Sequence, residues 1–216
     1  MLISRKHFFW LTAPIILIIS GCFNIPDPDY KTRLAKVPEF LRDHFPSKLP
    51  NNEPSTLITN IDTTSQCISY MLLQYGDDSI TKFDTSNMGR PVIATYKAVD
   101  TNIISIKRET VTLWNPEKKK FYMDKMRDNK YYFPVPFFET EDHPFYKGDI
   151  KDIYSSETPN GLSEDFTIYV FDFKAGNYWQ GLKPLDYMPE GWKNGYSKGI
   201  AVNKKKNVII HWFVVW

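Results

Sequence analysis

Gly195-Tyr196-Ser197-Lys198-Gly199 fits the pattern Gly-x-Ser-x-Gly, in which a strained turn between a strand and a helix holds a serine out as a nucleophile. Such a serine works with an acid and then a histidine placed later in the chain. No Asp or Glu follows Ser197, and the residues after it read as a hairpin rather than a helix. The triad cannot be completed in that order, so Ser197 is read as part of a glycine-rich turn entering a strand. His44, His143 and His211 are scattered, without a His-Glu-x-x-His pair or Cys-His spacing for zinc. His211 alternates with Ile209 and Phe213, the position of a core histidine with its nitrogens satisfied. Glu139, Glu141 and Asp142 crowd beside His143 and offer oxygen ligands to a hard cation, but they lack the glycine and spacing of a calcium loop. They read as a solvated acidic loop. No catalytic residue, metal or cofactor is predicted, and the chain is expected not to be an enzyme.

Recognition without catalysis has a better candidate. The stretch from Gly176 to Tyr196 is dense in Gly and Pro and carries Tyr178, Trp179, Tyr187, Trp192 and Tyr196. Aromatic rings with a polar tip, carried on a long loop, make sugar-stacking platforms and protein-binding hot spots. The alternative is a compact loop folded back over the sheet with its rings buried. Exposure of Trp179 and Trp192 separates the two.

The N-terminus gives an address. Arg5 and Lys6 precede an apolar run from Phe8 to Ile19, the length of a signal-peptide core. A membrane-spanning helix needs roughly 20 apolar residues, and Pro14 interrupts this run as well. Small residues, Ser20 and Gly21, then lead to Cys22. Ile19-Ser20-Gly21-Cys22 resembles the lipobox of bacterial lipoproteins. That resemblance implies removal of residues 1–21, a diacylglycerol on the Cys22 thiol and a further acyl chain, such as palmitate, on its amine. Several acyl chains together give stable membrane anchoring, each buried methylene adding about 0.8 kcal/mol. Lipoproteins of Gram-negative cells resemble one another in a sorting rule that retains Asp-bearing chains in the inner membrane. Phe23 follows Cys22 here, which implies the outer membrane, with the domain facing the periplasm or the cell surface.

Loss of Arg5 and Lys6 turns a chain of 27 basic and 25 acidic residues into one of 25 against 25. That balance argues against nucleic acid as a partner, since a basic excess is its electrostatic footprint. With Cys22 lipidated, Cys67 has no cysteine left to pair with, and its apolar setting predicts a small buried hydrophobe. The fold must then rest on its core rather than on a disulfide, for which the chain is long enough.

A Pro-interrupted linker over 22–29 precedes one globular domain over 30–216. Leu34, Val37, Leu41 and Phe45 lie near helical spacing and predict one or two short helical turns. Strands are predicted within 55–61, 66–76 and 102–114, the last forming a hairpin with the segment from Lys120 to Met126. Further strands are predicted at 166–174, at 198–202 and at the C-terminus from Val208 to Trp216, and a weak helix within 77–91. Pro134 and Pro136 place the segment around them at a sheet edge or outside the sheet, because proline donates no ladder hydrogen bond. The final run is apolar on both faces and predicts a central, doubly covered strand. The lysine runs 118–120 and 204–206 are read as charged hairpin tips that discourage edge pairing. The fold class is therefore α+β and β-rich, a single domain with an antiparallel sheet and a minor N-terminal helix.

The segment from Met188 to Val202, its lysine turn and the terminal strand are similar to the C-terminal end of small Bacteroidota lipoproteins, a likeness that brings no activity with it. In that phylum, Asp followed by Ser or Thr and then by an apolar residue or Thr resembles an O-glycosylation sequon. Asp78-Ser79-Ile80 and Asp62-Thr63-Thr64 match it, which makes Ser79 and Thr63 candidates for modification. The expected function is a non-catalytic binding module on the envelope, either an envelope component or an immunity-type protein that neutralises a toxin. The alternative is a glycan-binding lipoprotein using the aromatic loop.

Overall fold

The C-terminal run is the place to begin, because its apolar residues on both faces demand cover on both. The structure, a computed structural model, describes residues 28–49, 55–60, 67–76, 80, 82–100, 103–106, 133–138, 153–155, 157–185, 188 and 190–216. Two short helices come first, α1 (Pro28–Ala35) and α2 (Glu39–Arg42). Strands follow as β1 (Ser55–Asn60), β2 (Ile68–Tyr75), β3 (Ala94–Lys97), β4 (Ser105–Ile106), β5 (Val135–Pro136), β6 (Thr167–Ala175), β7 (Gly195–Asn203) and β8 (Val208–Val215). Six of them form one antiparallel sheet in the order β1-β2-β8-β7-β6-β3, so β8 has a neighbour on each side. The fold is α+β and β-rich.

Alternation along β8 divides the core in two. Val208, Ile210, Trp212, Val214 and then Trp216 face a cluster that includes Met71, Leu73, Ile104, Ile106, Val135, Phe138 and Ile168. Phe213 and Val215 face the opposite side, where Tyr30, Leu34, Val37, Leu41 and Phe45 of the helical segment close over Ile68, Tyr70 and Leu72. The helical spacing read from the sequence is thus the buried side of that segment. On this second side a smaller cluster, with Phe171, Ile200 and Val202, continues toward β3.

The segment around Pro134 and Pro136 lies outside the main sheet. β5 pairs parallel with β4, and Val135 and Phe137 donate to the carbonyls of Ile104 and Ile106, while Pro136 between them has no N–H to pair. The hairpin predicted for 102–126 falls outside the described residues beyond Ile106. Within 77–91, Ile80 is helical, and a 3₁₀ turn at Thr85–Asn87 is capped by Asp84, whose carboxylate accepts from the Ser86 N–H. The edge strand β3 had no counterpart in the sequence reading.

The glycine-rich turn expected at 195–199 is strand instead. β7 runs unbroken through Gly195 and Gly199, in register with β8 and paired to β6 across a bulge at Phe171. Close packing accounts for the glycines: a Cβ at Gly195 would lie 2.8 Å from the Trp216 ring, and one at Gly199 2.8 Å from the Trp212 ring and against the Tyr169 carbonyl. The turn between β7 and β8 is at 204–207, with Lys204 and Lys205 exposed as expected and Lys205 paired to Asp165 at 2.6 Å.

A chain ending at Asn207 lacks the strand that joins β2 to β7 and the side chains that fill both cores. It is expected to show no cooperative thermal transition by calorimetry, and a folded monomer with a sharp melt would contradict this account of the core.

Candidate functional site

Ser197, the candidate nucleophile of the sequence pattern, is fully buried, and its hydroxyl donates to the Pro134 carbonyl. It pins the β5 segment to the sheet and has no access to a substrate. Its neighbour Lys198 points to the opposite face, among Tyr196, Ile200 and Val202, with its side chain only 7% exposed. A buried ammonium requires a counter-charge. Asp43, just past the end of α2, provides it with both carboxylate oxygens, at 2.9 and 3.0 Å from Nζ. Nζ also donates to the Phe40 carbonyl and so satisfies the open C-terminal end of that four-residue helix.

Arg90 completes the cluster. Its Nη1 donates to the Asp43 carboxylate at 3.1 Å and its Nη2 to the Asp43 carbonyl at 2.9 Å, and the guanidinium lies 5.4 Å over the Phe171 ring. Lys198 and Arg90, both donating to it, hold the Asp43 carboxyl well below the usual carboxylate range. The charge is therefore fixed as carboxylate against two cations.

Beneath these charges the histidines make a reciprocal pair. His44 Nε2 lies 2.9 Å from the Trp212 carbonyl, and His211 Nδ1 lies 3.0 Å from the His44 carbonyl. A carbonyl only accepts, so each of these nitrogens carries the hydrogen, and the rings fix each other's elements across a sequence separation of 167 residues. Nδ1 of His44 then holds a lone pair 3.5 Å from the Asp43 carboxylate. Burial pushes the pKa of His44 down, and that of His211 down to about 3, so both rings stay neutral. The expectation of a satisfied core histidine describes His211; that His44 would join it was not visible in the spacing.

The aromatic candidates do not form one surface. Tyr196 is buried, its hydroxyl donating to Asp172 at 2.6 Å, and burial followed by that hydrogen bond raises its pKa. Tyr178 packs edge-on against Tyr196 at 4.7 Å between centroids, and Trp179 lies half-buried against the same cluster. Trp192 belongs to the other face of the sheet, 4.6 Å from the Phe173 ring, and its carbonyl accepts from the Trp216 indole. The sheet passes between Trp192 and the rings of Tyr178, Trp179 and Tyr196, because residues on either side of the loop enter different cores. Tyr187, the candidate lipidation site Cys22 and the candidate glycosylation sites Ser79 and Thr63 lie outside the described residues, as do His143 and the acidic run before it. Cys67 is buried, as a small hydrophobe is.

What the structure adds to the candidate rings is Phe40, which is 40% exposed and touches Tyr178 at 5.8 Å and Tyr196 at 5.2 Å. The arrangement is a half-buried ionic clamp beside an aromatic rim. It can hold a shape and present a half-apolar surface, and its charged groups are spent on one another. Sequence reasoning missed Asp43, His44 and Arg90. The available signal was Lys198, a charge in the middle of a strand whose same-face neighbours are apolar.

No protein-family model, curated protein or solved structure matches this chain.

Asp43→Ala strands a buried ammonium and should cost about 2 kcal/mol, below the ~3–5 of a fully buried pair because the Asp43 side chain is 43% exposed. Lys198→Met, which keeps the apolar stem and removes the charge, should cost less. Urea midpoints of the two variants test that order.

Stability should also fall in acid, in two stages. Below about pH 6.5 the unfolded chain protonates both histidines, while folded His211 resists until about pH 3. The unfolded state then binds more protons, so His211 removes up to about 2 kcal/mol at pH 5, and His44 acts in the same direction. Asp43, with its lowered pKa, contributes stability above about pH 4 that is lost as pH falls further. Denaturant titrations at pH 7.5, 5 and 3.5 are expected to show the decline starting with the histidines, and a flat profile down to pH 5 would refute their burial as neutral rings.

Proposed function

We propose that this chain is a lipid-anchored envelope protein whose folded domain acts as a non-catalytic binding module, as an envelope component or an immunity-type protein. The observation that carries the non-catalytic part is the commitment of its reactive groups. Ser197 donates to Pro134, Lys198 to Asp43 and Phe40, and each histidine to a backbone carbonyl across the layer. These four groups, of types that a catalyst would aim at a substrate, are aimed instead at the protein's own frame. The outward features of the same layer are a ring and its neighbours, Phe40 with Tyr178 and Trp179, the kind of surface that contributes to binding.

Anchoring is supported by the sequence from Arg5 to Cys22 and by the position of α1, which begins six residues after Cys22. Fully extended, that tether reaches roughly 20 Å. Among the described residues no helix is long and apolar enough to cross a membrane. A glycan ligand remains a narrower reading, since it would have Tyr178 and Trp179 on one face without Trp192.

The test has two parts. Cys22→Ser is expected to move the protein from the membrane fraction to the soluble one, with loss of the acyl mass. Cross-linking in intact cells should then recover one dominant protein partner, and recovery of lipid and glycan alone would remove the protein-partner reading. The affinity tag belongs in the exposed turn at Lys204–Lys205, because Trp216 is buried and its backbone pairs with Gly195.

A further inference from the structure

The layer that covers the second face of the sheet carries a consistent outer chemistry. α1 buries Tyr30 and Leu34 and exposes Lys31 and, just beyond its end, Lys36. Leu182 enters the same cluster and leaves Lys183 exposed beside it. Lys174 is exposed and stands opposite Tyr196 in the β6–β7 ladder, on the same face. Among these lysines lie exposed Phe40 and half-buried Tyr178 and Trp179. Of the acids here whose side chains are described, Asp43 is neutralised by Lys198 and Arg90 and Asp172 accepts from Tyr196, which leaves Glu39 as the exposed carboxylate of α2.

We infer that this face, formed by α1, α2 and the 174–183 segment, docks on the surface of a lipid bilayer bearing anionic headgroups. Two observations choose that occupant. The first is the tether: this inference rests on acylation of Cys22, and the few residues between the lipid and Pro28 bring α1, before any other described element, to the membrane. The second is complementarity. Tyrosine and tryptophan favour the interface between headgroups and acyl chains, and a lysine held near an anionic leaflet gains attraction that salt weakens. A soluble protein seated on the same face would have to compete with a bilayer held against it by the lipid.

The opposite end of β7 supplies an internal control. Lys204 is exposed at the turn that follows Asn203, and eight residues of strand from Gly195 place it roughly 25 Å from the docking end.

The experiment uses the full acylated chain, reconstituted into vesicles of phosphatidylethanolamine with phosphatidylglycerol, and brief amine acetylation read by peptide mass spectrometry. Lys31, Lys36 and Lys183 are expected to react roughly threefold or more slowly on these vesicles than in neutral detergent, with Lys204 unchanged and the protection shrinking as salt is raised. Phe40→Glu combined with Lys36→Glu should abolish protection at Lys31 and Lys183 while the acyl mass stays on Cys22. Equal labelling of all four lysines in vesicles and detergent overturns the inference. Protection seen in whole envelopes but not on the vesicles also overturns it, since a protein would then be the occupant. Intact mass on the same sample isolates the underlying reading. If Cys22 carries no lipid, anchoring fails, and the same labelling with vesicles added to the unlipidated chain decides the docking by itself.

Discussion

A strand that is apolar on both faces has no stable place in water except between two covering layers, and β8 imposes that condition on everything around it. Trp212, Phe213, Val214, Val215 and Trp216 are consecutive and nearly inaccessible to solvent. Burying side chains of this size contributes on the order of 1.5–3 kcal/mol each. The gain requires β2 and β7 at its sides, the β4–β5 pair with its neighbours on one face and the α1–α2 segment on the other. Glycines at 195 and 199 follow from the same demand, because the two tryptophan rings lie where their side chains would be.

The helical cover is too short to hold itself. Helices of eight and four residues nucleate poorly in water, and packing alone does not fix how so small an element sits. Polar pins do that. Lys198 reaches from the sheet to Asp43 and to the carbonyl end of α2, and the paired histidines cross between His44 and β8 in both directions. Buried ion pairs give little net stability over apolar substitutes, but a half-made one is costly, so the cluster selects one seating of the segment over others. Arg90 extends the same selection to the region before β3.

The sheet was readable to the extent that burial followed local pattern. The double-faced run from Val208 to Trp216 and the prolines at 134 and 136 each carry their structural meaning within a few residues, and both were read correctly. Gly195 to Gly199 was misread because glycine has two uses, conformational freedom and close approach, and only the partner strand reveals which applies. β3 was missed because its four residues are neither apolar enough nor long enough to stand out. The ionic cluster was beyond reach for a different reason: Asp43, Arg90 and Lys198 are ordinary surface types, and what makes them a unit is a fold that joins positions more than 40 residues apart. Lys198 alone betrayed it, as a charge whose strand neighbours on the same face are buried.

The same layer that completes the core also carries the outward rim, and this couples the two. Phe40 belongs to α2, whose C-terminal carbonyl is tied to Lys198, and Tyr178 rests on Tyr196, whose hydroxyl is tied to Asp172. A surface built this way exists only while its pins are made. Whatever binds it therefore binds the folded state and not the unfolded one, and stabilises the whole domain by mass action. The coupling also runs in reverse: acid, which draws protons onto the unfolded histidines, weakens the layer and with it the surface. A surface of this design has its affinity for a partner set as much by the clamp beside the rim as by the rings on it.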